Sequence, residues 1–375
     1  MKKGSSTPDK EEAEALHPRN TNALLGQETA EDTFCKAMES GRLPHAWLIS
    51  GPRGVGKATL AYRVVRYLFE EDNTEDAGLF GGGVEPGAQA STGLEFPEDS
   101  PVFKQIASGS FPDLRVLERR PDKDGRIKRD IPVDEVRQLG AFLHMTATNG
   151  SWRAAILDPV DELGQQGANA LLKSLEEPPE KTLLLLISHN PGRLLPTIRS
   201  RCRQLSLPPL EATVVEQLLE RHLPDLHKDE RILLTYLSEG SIGRALDLNQ
   251  AGGADLYIQM VEMMGQLPAL DSHKLHAIGD NLARDSQGIL FRTMSELMLW
   301  WLGQLVRLRA TRSTPIGILE GEGEIMQHLS SRRELADWMR LWENLTQLFQ
   351  QTEQASLDRK QAFITAFGRL QGMAA

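Results

Sequence analysis

Cysteine is nearly absent from this sequence of 375 residues, which has two, Cys35 and Cys202. Neither a disulfide framework nor a four-cysteine zinc site can be built from a pair, so no zinc is expected. Long hydrophobic runs are missing as well. Every apolar run, "TLLLLISH" at 182–189 included, falls well short of the roughly 18 to 20 residues that span a bilayer. The first twenty residues, "MKKGSSTPDKEEAEALHPRN", carry two lysines without the apolar core of a signal peptide. A solvated tail over 1–16 and a cytoplasmic protein with no membrane partner are therefore expected. An excess of positive charge is also lacking: 42 basic against 52 acidic residues give a formal net charge of −10. That balance argues against a chain that coats nucleic acid by itself. The rest of the composition, 40% hydrophobic and 25% charged, is that of an ordinary globular chain long enough for two or three domains.

One short stretch carries chemistry. "GPRGVGKATL" at 51–60 has the glycines and lysine of a phosphate-binding loop, in which backbone N–H groups surround an anion. An apolar strand at 46–50 feeds into it and an amphipathic helix follows, with Leu60, Val64 and Leu68 on one face. Strand, glycine loop and helix are the context the motif requires. Gly51, Gly54, Gly56, Lys57 and Thr59, with Asp158 at the end of a second apolar strand, form the candidate ATP/ADP site. Two positions depart from a working site. Ala58 stands where a Ser or Thr hydroxyl would ligate Mg²⁺, and Pro159 where a glutamate would polarise the attacking water. Asp161 and Glu162, a few residues on, read as helix-start electrostatics.

Along the chain, 71–101 is acidic, rich in Gly and Pro and without periodicity, and reads as an exposed, mobile insertion. Strands then alternate with helices: "DLRVLER", a charged loop at 119–130, the helix of "PVDEVRQLGAFLHMT", "RAAILD", a helix stopped by Pro178 and Pro179, and "TLLLLIS". This alternation predicts an α/β fold with a mostly parallel sheet covered on both faces. From about residue 210 the pattern is helical, with two short helices joined at Gly240 and long amphipathic stretches beyond 255. Trp300, Trp301, Trp338 and Trp342 read as core rather than as a stacking platform for bases, which is usually flanked by positive charge.

"ANALLKSLEEPPE" at 168–180 and "ISHNPGRLLPTIRSRCRQLSL" at 187–207 closely resemble the bacterial replicative clamp-loader subunits of the AAA+ superfamily, whose hallmark is a Ser-Arg-Cys triplet, here Ser200, Arg201 and Cys202. "NALLGQ", "SGRLPHAWLISGPRGVGKATLAYR" and "FPDLRVLERR" are similar to the delta-prime branch of that family, in an alphaproteobacteria-like form that lacks zinc cysteines. The likeness covers about residues 17 to 250. It implies a RecA-like AAA+ module over 17–209, a small helical lid over 210–252, and an all-helical collar over 253–375 through which subunits form a ring. It further implies gamma/tau motor subunits and a delta subunit as partners, with the sliding clamp and primed DNA reached through the assembled complex. In this family the arginine of the triplet reaches in trans to a neighbour's nucleotide, a role the resemblance gives to Arg201. Motor subunits also sense the γ-phosphate with a lid arginine, where this chain has Gly243. Arg244 is one residue off, about 100° around a helix. ATP or ADP binding without hydrolysis is the expectation. The alternative is a self-contained AAA+ ATPase that uses Thr59 for Mg²⁺ and Glu162 as base.

Overall fold

The computed structural model describes residues 17–77, 94, 97–119, 130–145, 152–313 and 317–375. The tail expected at 1–16 and most of the charged loop at 119–130 lie outside these residues. Five strands, β1 (Ala46–Ser50), β2 (Leu114–Glu118), β3 (Arg153–Asp158), β4 (Thr182–Ser188) and β5 (Arg203–Ser206), form one sheet in the order β2-β3-β4-β1-β5, and every neighbouring pair is parallel. The helices of the same unit are α1 (Glu28–Glu39), α2 (Lys57–Ala77), α3 (Pro101–Ala107), α4 (Val133–His144), α5 (Gln165–Glu176) and the single turn α6 (Pro196–Arg199).

The central strand β4 is buried along its whole length, which is why it reads as an unbroken apolar run. Its side chains alternate between two cores. Leu183, Leu185 and Ile187 join Phe34, Trp47, Val64 and Leu68 on one face, while Leu184 and Leu186 join Leu48, Leu139, Leu157 and Leu171 on the other. The glycine loop leaves the C-terminal end of β1 and enters α2, the strand, loop and helix order and the parallel α/β sheet expected from the sequence.

The insertion expected at 71–101 is narrower than its composition suggests. Helix α2 continues through Ala77, and α3 begins at Pro101 with the Ser100 hydroxyl accepting from the Phe103 N–H, 2.9 Å. Leu94 is fully buried in the sheet core. Residues 78–93, 95 and 96 lie outside the described chain.

Contacts divide the chain into two compact units. One runs up to Val215 and includes Gly240–Gly243; the other comprises Glu216–Glu239 and Arg244–Ala375. Beyond β5 the helices are α7 (Ala212–His222), α8 (Lys228–Leu237), α9 (Ile242–Gln250), α10 (Gly253–Gly265), α11 (Ser272–Arg284), α12 (Ile289–Thr311), α13 (Glu322–Arg332), α14 (Leu335–Gln354) and α15 (Arg359–Ala374). Trp301 and Trp338 are fully buried among them, as expected of core. Trp300 is half-buried between the edges of Tyr236 and Tyr257. Trp342 departs from the expectation: it is 38% exposed, with its indole N–H donating to the Leu299 carbonyl at 3.0 Å. Among the described residues no helix is long and apolar enough to cross a membrane.

Candidate functional site

Backbone packing shapes the glycine loop. Gly51 has φ +148°, and a Cβ there would stand 2.2 Å from the Leu207 carbonyl oxygen beyond β5, so a side chain would push the strand exit away. Gly54, at φ +78°, packs directly on Gly243, whose N–H donates to the Gly54 carbonyl at 3.0 Å. The Ser241 hydroxyl donates to the Arg53 carbonyl at 2.7 Å. A Cβ on Gly243 would lie 2.8 Å from the Gly54 Cα, so the arginine of motor subunits cannot occupy this position in this arrangement. Gln27, buried and unremarked as a functional position in the sequence, donates through its amide to the carbonyls of Val55 (3.2 Å) and Pro208 (2.9 Å), tying the loop to the strand exit.

Lys57 opens α2 and is buried, with its ammonium turned back into its own loop. It donates to the carbonyls of Gly51 (2.8 Å) and Pro52 (2.5 Å). Burial pulls its pKa down to about 8, against the attraction of Asp158 and Asp161. Asp158, at the end of β3, is pushed up to about 6 by burial, opposed by Lys57 and reinforced by Glu118 and Glu162. Thr59 is half-buried in the first turn of α2, beside the half-buried Ala58. The glycines, Lys57, Thr59 and Asp158 are thus gathered at the C-terminal ends of β1 and β3, where an α/β sheet places its ligands.

Asp161 and Glu162 act differently from the helix-start electrostatics expected of them. Asp161 accepts from the Ser188 hydroxyl at 2.6 Å and from the N–H groups of His189 (2.5 Å) and Asn190 (2.9 Å), clasping the end of β4. Glu162 is ion-paired with Arg119. His189 lies at this strand end, pushed down to about 4 first by burial and then by the Lys57 charge, so the ring is neutral at physiological pH. Its Nδ1 is buried without a hydrogen-bond partner. The sequence shows His189 only as the residue that ends an apolar run. Arg244, expected to face elsewhere, pairs with Glu239 at 3.0 Å.

The donor set suits a phosphate group, since Lys57 and the loop glycines are in place. For magnesium the set is poorer, since Ala58 supplies no hydroxyl at the position after the lysine, and Pro159 supplies no carboxylate to polarise a water. Among the described residues no group of three or more His, Cys, Asp or Glu is placed to hold a metal ion.

Arg201 sits elsewhere. Its neighbour Cys202 is buried with Ile198 in one of the two sheet cores, which anchors the triplet. The Ser200 hydroxyl donates to the Thr197 carbonyl at 3.2 Å. The Arg201 side chain stays outside, donating to the Thr197 carbonyl at 3.0 Å and pairing with Glu176 at 2.8 Å. Parallel register fixes where it lies along the sheet. β5 begins at Arg203, opposite Trp47 near the start of β1, whereas the glycine loop follows Ser50 at the other end. Arg201 therefore stands at the N-terminal edge of the sheet and the phosphate loop of its own chain at the C-terminal edge, three strand residues or roughly 10 Å beyond.

Comparison with known proteins places this geometry in a lineage. Residues 26–211 match the family model described as DNA polymerase III, delta subunit. The chain is 37% identical over 223 residues to DNA polymerase III subunit delta' of Pseudomonas aeruginosa, an alignment covering 60% of this chain and 61% of that one. It is 31% identical over 183 residues to the Bacillus subtilis delta' subunit, covering 49% and 48%. With DNA polymerase III subunit tau of Escherichia coli it shares 29% identity over 262 residues, 67% of this chain and 36% of that one. The chain thus matches about three fifths of the Pseudomonas protein's length and about a third of the tau subunit's. Residues 26–211, holding both the glycine loop and the Ser-Arg-Cys triplet, belong to the DNA polymerase III delta subunit family in its delta-prime-like form.

Proposed function

We propose that this chain is a non-motor subunit of a replicative DNA polymerase III clamp loader. It joins gamma/tau-type motor subunits and a delta subunit in the ring that opens a sliding clamp and loads it on primed DNA. Its chemical contribution is Arg201, offered in trans to the nucleotide of a neighbouring motor subunit. The observation that carries this reading is the placement of Arg201 at the opposite edge of the sheet from its own Lys57 loop, exposed and anchored from behind by Cys202. A guanidinium is a permanently charged planar fork suited to charge spread over phosphoryl oxygens, and it acts across a subunit boundary as readily as within one chain. The collar, 253–375, is the oligomerisation domain in this reading.

The chain's own loop holds ATP or ADP without hydrolysing it. Lys57 is already satisfied by two loop carbonyls, Gly243 packs on Gly54, and Glu162, the base of the self-contained ATPase reading, is engaged by Arg119. Turnover of the isolated chain is expected at background and unchanged by Lys57→Ala. In a reconstituted ring, Arg201→Ala is expected to leave assembly intact and lower ATPase and clamp-loading rates. At a single site that depends on such an arginine the loss is about 10³ to 10⁵-fold, diluted in the total by the intact sites. Full clamp loading by a ring carrying Arg201→Ala would rule out the trans role. Lys57-dependent turnover by the isolated chain would restore the ATPase reading.

A further inference from the structure

Glu176 is the last residue of α5, and Glu177 caps the same helix end. A carboxylate is misplaced there, because the C-terminus of a helix carries the negative end of its dipole. A residue set against local preference signals a demand from elsewhere in the fold. For Glu176 that demand is visible. Its Oε1 lies 2.8 Å from Nη2 of Arg201, while Nη1 of the same guanidinium donates to the Thr197 carbonyl at 3.0 Å. Both terminal nitrogens of the fork are thus spent on acceptors of this chain, although either would be needed to grip two phosphoryl oxygens.

The pair is open to solvent, with 36% of the arginine and 48% of the glutamate side chain exposed. Ion pairs in such surroundings are weak and exchange partners readily. A buried pair would lock the arginine, and an absent one would leave a long side chain free to adopt many rotamers. An exposed carboxylate on a rigid helix does neither: it parks the guanidinium at a fixed place and yields it to a stronger anion. We infer that Glu176 is a positioning residue that holds Arg201 in reserve and competes with the neighbouring subunit's nucleotide for it. The inference rests on the trans role proposed for Arg201 and adds the group from which that arginine must be released.

The competition has a definite sign. Removing the carboxylate charge while keeping the shape of the side chain, as in Glu176→Gln, frees Arg201 and lets the ring engage ATP more tightly. The expected result is a fall of about three- to fivefold in the ATP concentration giving half-maximal turnover of the reconstituted complex, the scale of an exposed ion pair. The maximal rate should stay the same, because the group at the reacting phosphate is still Arg201. Glu176→Asp, which keeps the charge one methylene shorter, should fall between the two. The decisive comparison repeats Glu176→Gln in an Arg201→Ala ring, where no further change is expected. An unaltered half-saturation point in the wild-type ring, the same shift in both backgrounds, or a lowered maximal rate would each overturn the role of Glu176. If Arg201→Ala itself leaves ring turnover untouched, the trans reading has failed, and the two failures are told apart by that single variant. Thermal unfolding of each subunit before assembly guards against a folding defect being read as a shift in affinity.

Discussion

At the scale of single residues, the centre of the site is a lysine and a carboxylate that burial pushes in opposite directions. Asp158 is raised to about 6 from an ordinary value near 3.8, so the folded chain holds a proton there that the unfolded chain releases earlier. The stability this contributes is fully present below about pH 4 and is lost as pH rises through 6. Relative to Asp158→Asn, the wild-type chain should therefore lose about 2 to 3 kcal/mol of unfolding free energy across that window. Urea unfolding of both proteins at a series of pH values measures it; a constant difference between pH 4 and 6.5 would refute the assignment. Lys57, lowered to about 8, acts in the alkaline window, where stability should rise between pH 8 and 10.5 as the unfolded chain holds the extra proton. Gly243 makes a second claim at this scale. Since its Cβ position is 2.8 Å from the Gly54 backbone, Gly243→Arg should cost about 1 to 3 kcal/mol of stability rather than restore a γ-phosphate sensor. Thermal denaturation beside an ATPase assay checks both halves of that statement.

At the scale of elements, what the sequence disclosed and what it concealed follow one rule. β1, β3 and β4 were legible because strands buried on both faces must be continuous apolar runs; β3 ends at Asp158, and the glycine loop follows β1 directly. β5 was not, because only Leu205 of its four residues is buried and the others face solvent. Helix α3 has seven residues, too few for a period to show, and its one signal is the Ser100–Pro101 start. The acidic end of α2 reads as loop, yet no Gly or Pro intervenes before Gly78, and a helix already nucleated extends through polar residues at little cost. Tertiary tasks were the least legible of all. Nothing in "NALLGQ" says that Gln27 pins the loop, and nothing in "DPVDEL" says that Asp161 clasps β4. The same holds for α2, whose Arg63 and Arg66 are nearly fully buried and serve α1 and the segment before it. Arg63 pairs with Glu31 at 2.6 Å and donates to the Asn22 carbonyl; Arg66 donates to the carbonyls of Arg19 and Thr21 and lies 4.2 Å over the Phe103 ring. Arg66→Met keeps the stem and removes the donors, so residues 17–24 should be cut faster by protease at unchanged sheet stability. Equal cleavage rates would mean the segment is held by its apolar contacts alone.

At the scale of the whole molecule, the second compact unit, Glu216–Glu239 and Arg244–Ala375, has its polar centre at Glu322. This carboxylate is fully buried. It accepts from the Tyr257 hydroxyl, from the Trp301 indole N–H at 3.1 Å, and from the N–H groups of Ile318 (2.9 Å) and Leu319 (3.1 Å). Four donors from α10, α12 and the turn before α13 thus converge on one side chain, and burial together with the bonded carboxylate drives the Tyr257 phenol well above its usual range. Tyr257 in turn meets Trp300, whose other edge contact is Tyr236 of α8, so α8 is joined to α10 and α12 through an aromatic chain. Glu322→Gln replaces one acceptor oxygen by an amide that donates, leaving donors facing a donor, and should cost about 2 to 4 kcal/mol. If the two units unfold separately, the loss belongs to one of them. Amide hydrogen exchange should then quicken across α8, α10 and α12 while β1, β3 and β4 keep their protection. Exchange that quickens equally in the sheet would mean that a single cooperative transition spans the chain, and exchange confined to the turn at 317–322 would mean that Glu322 organises that turn alone.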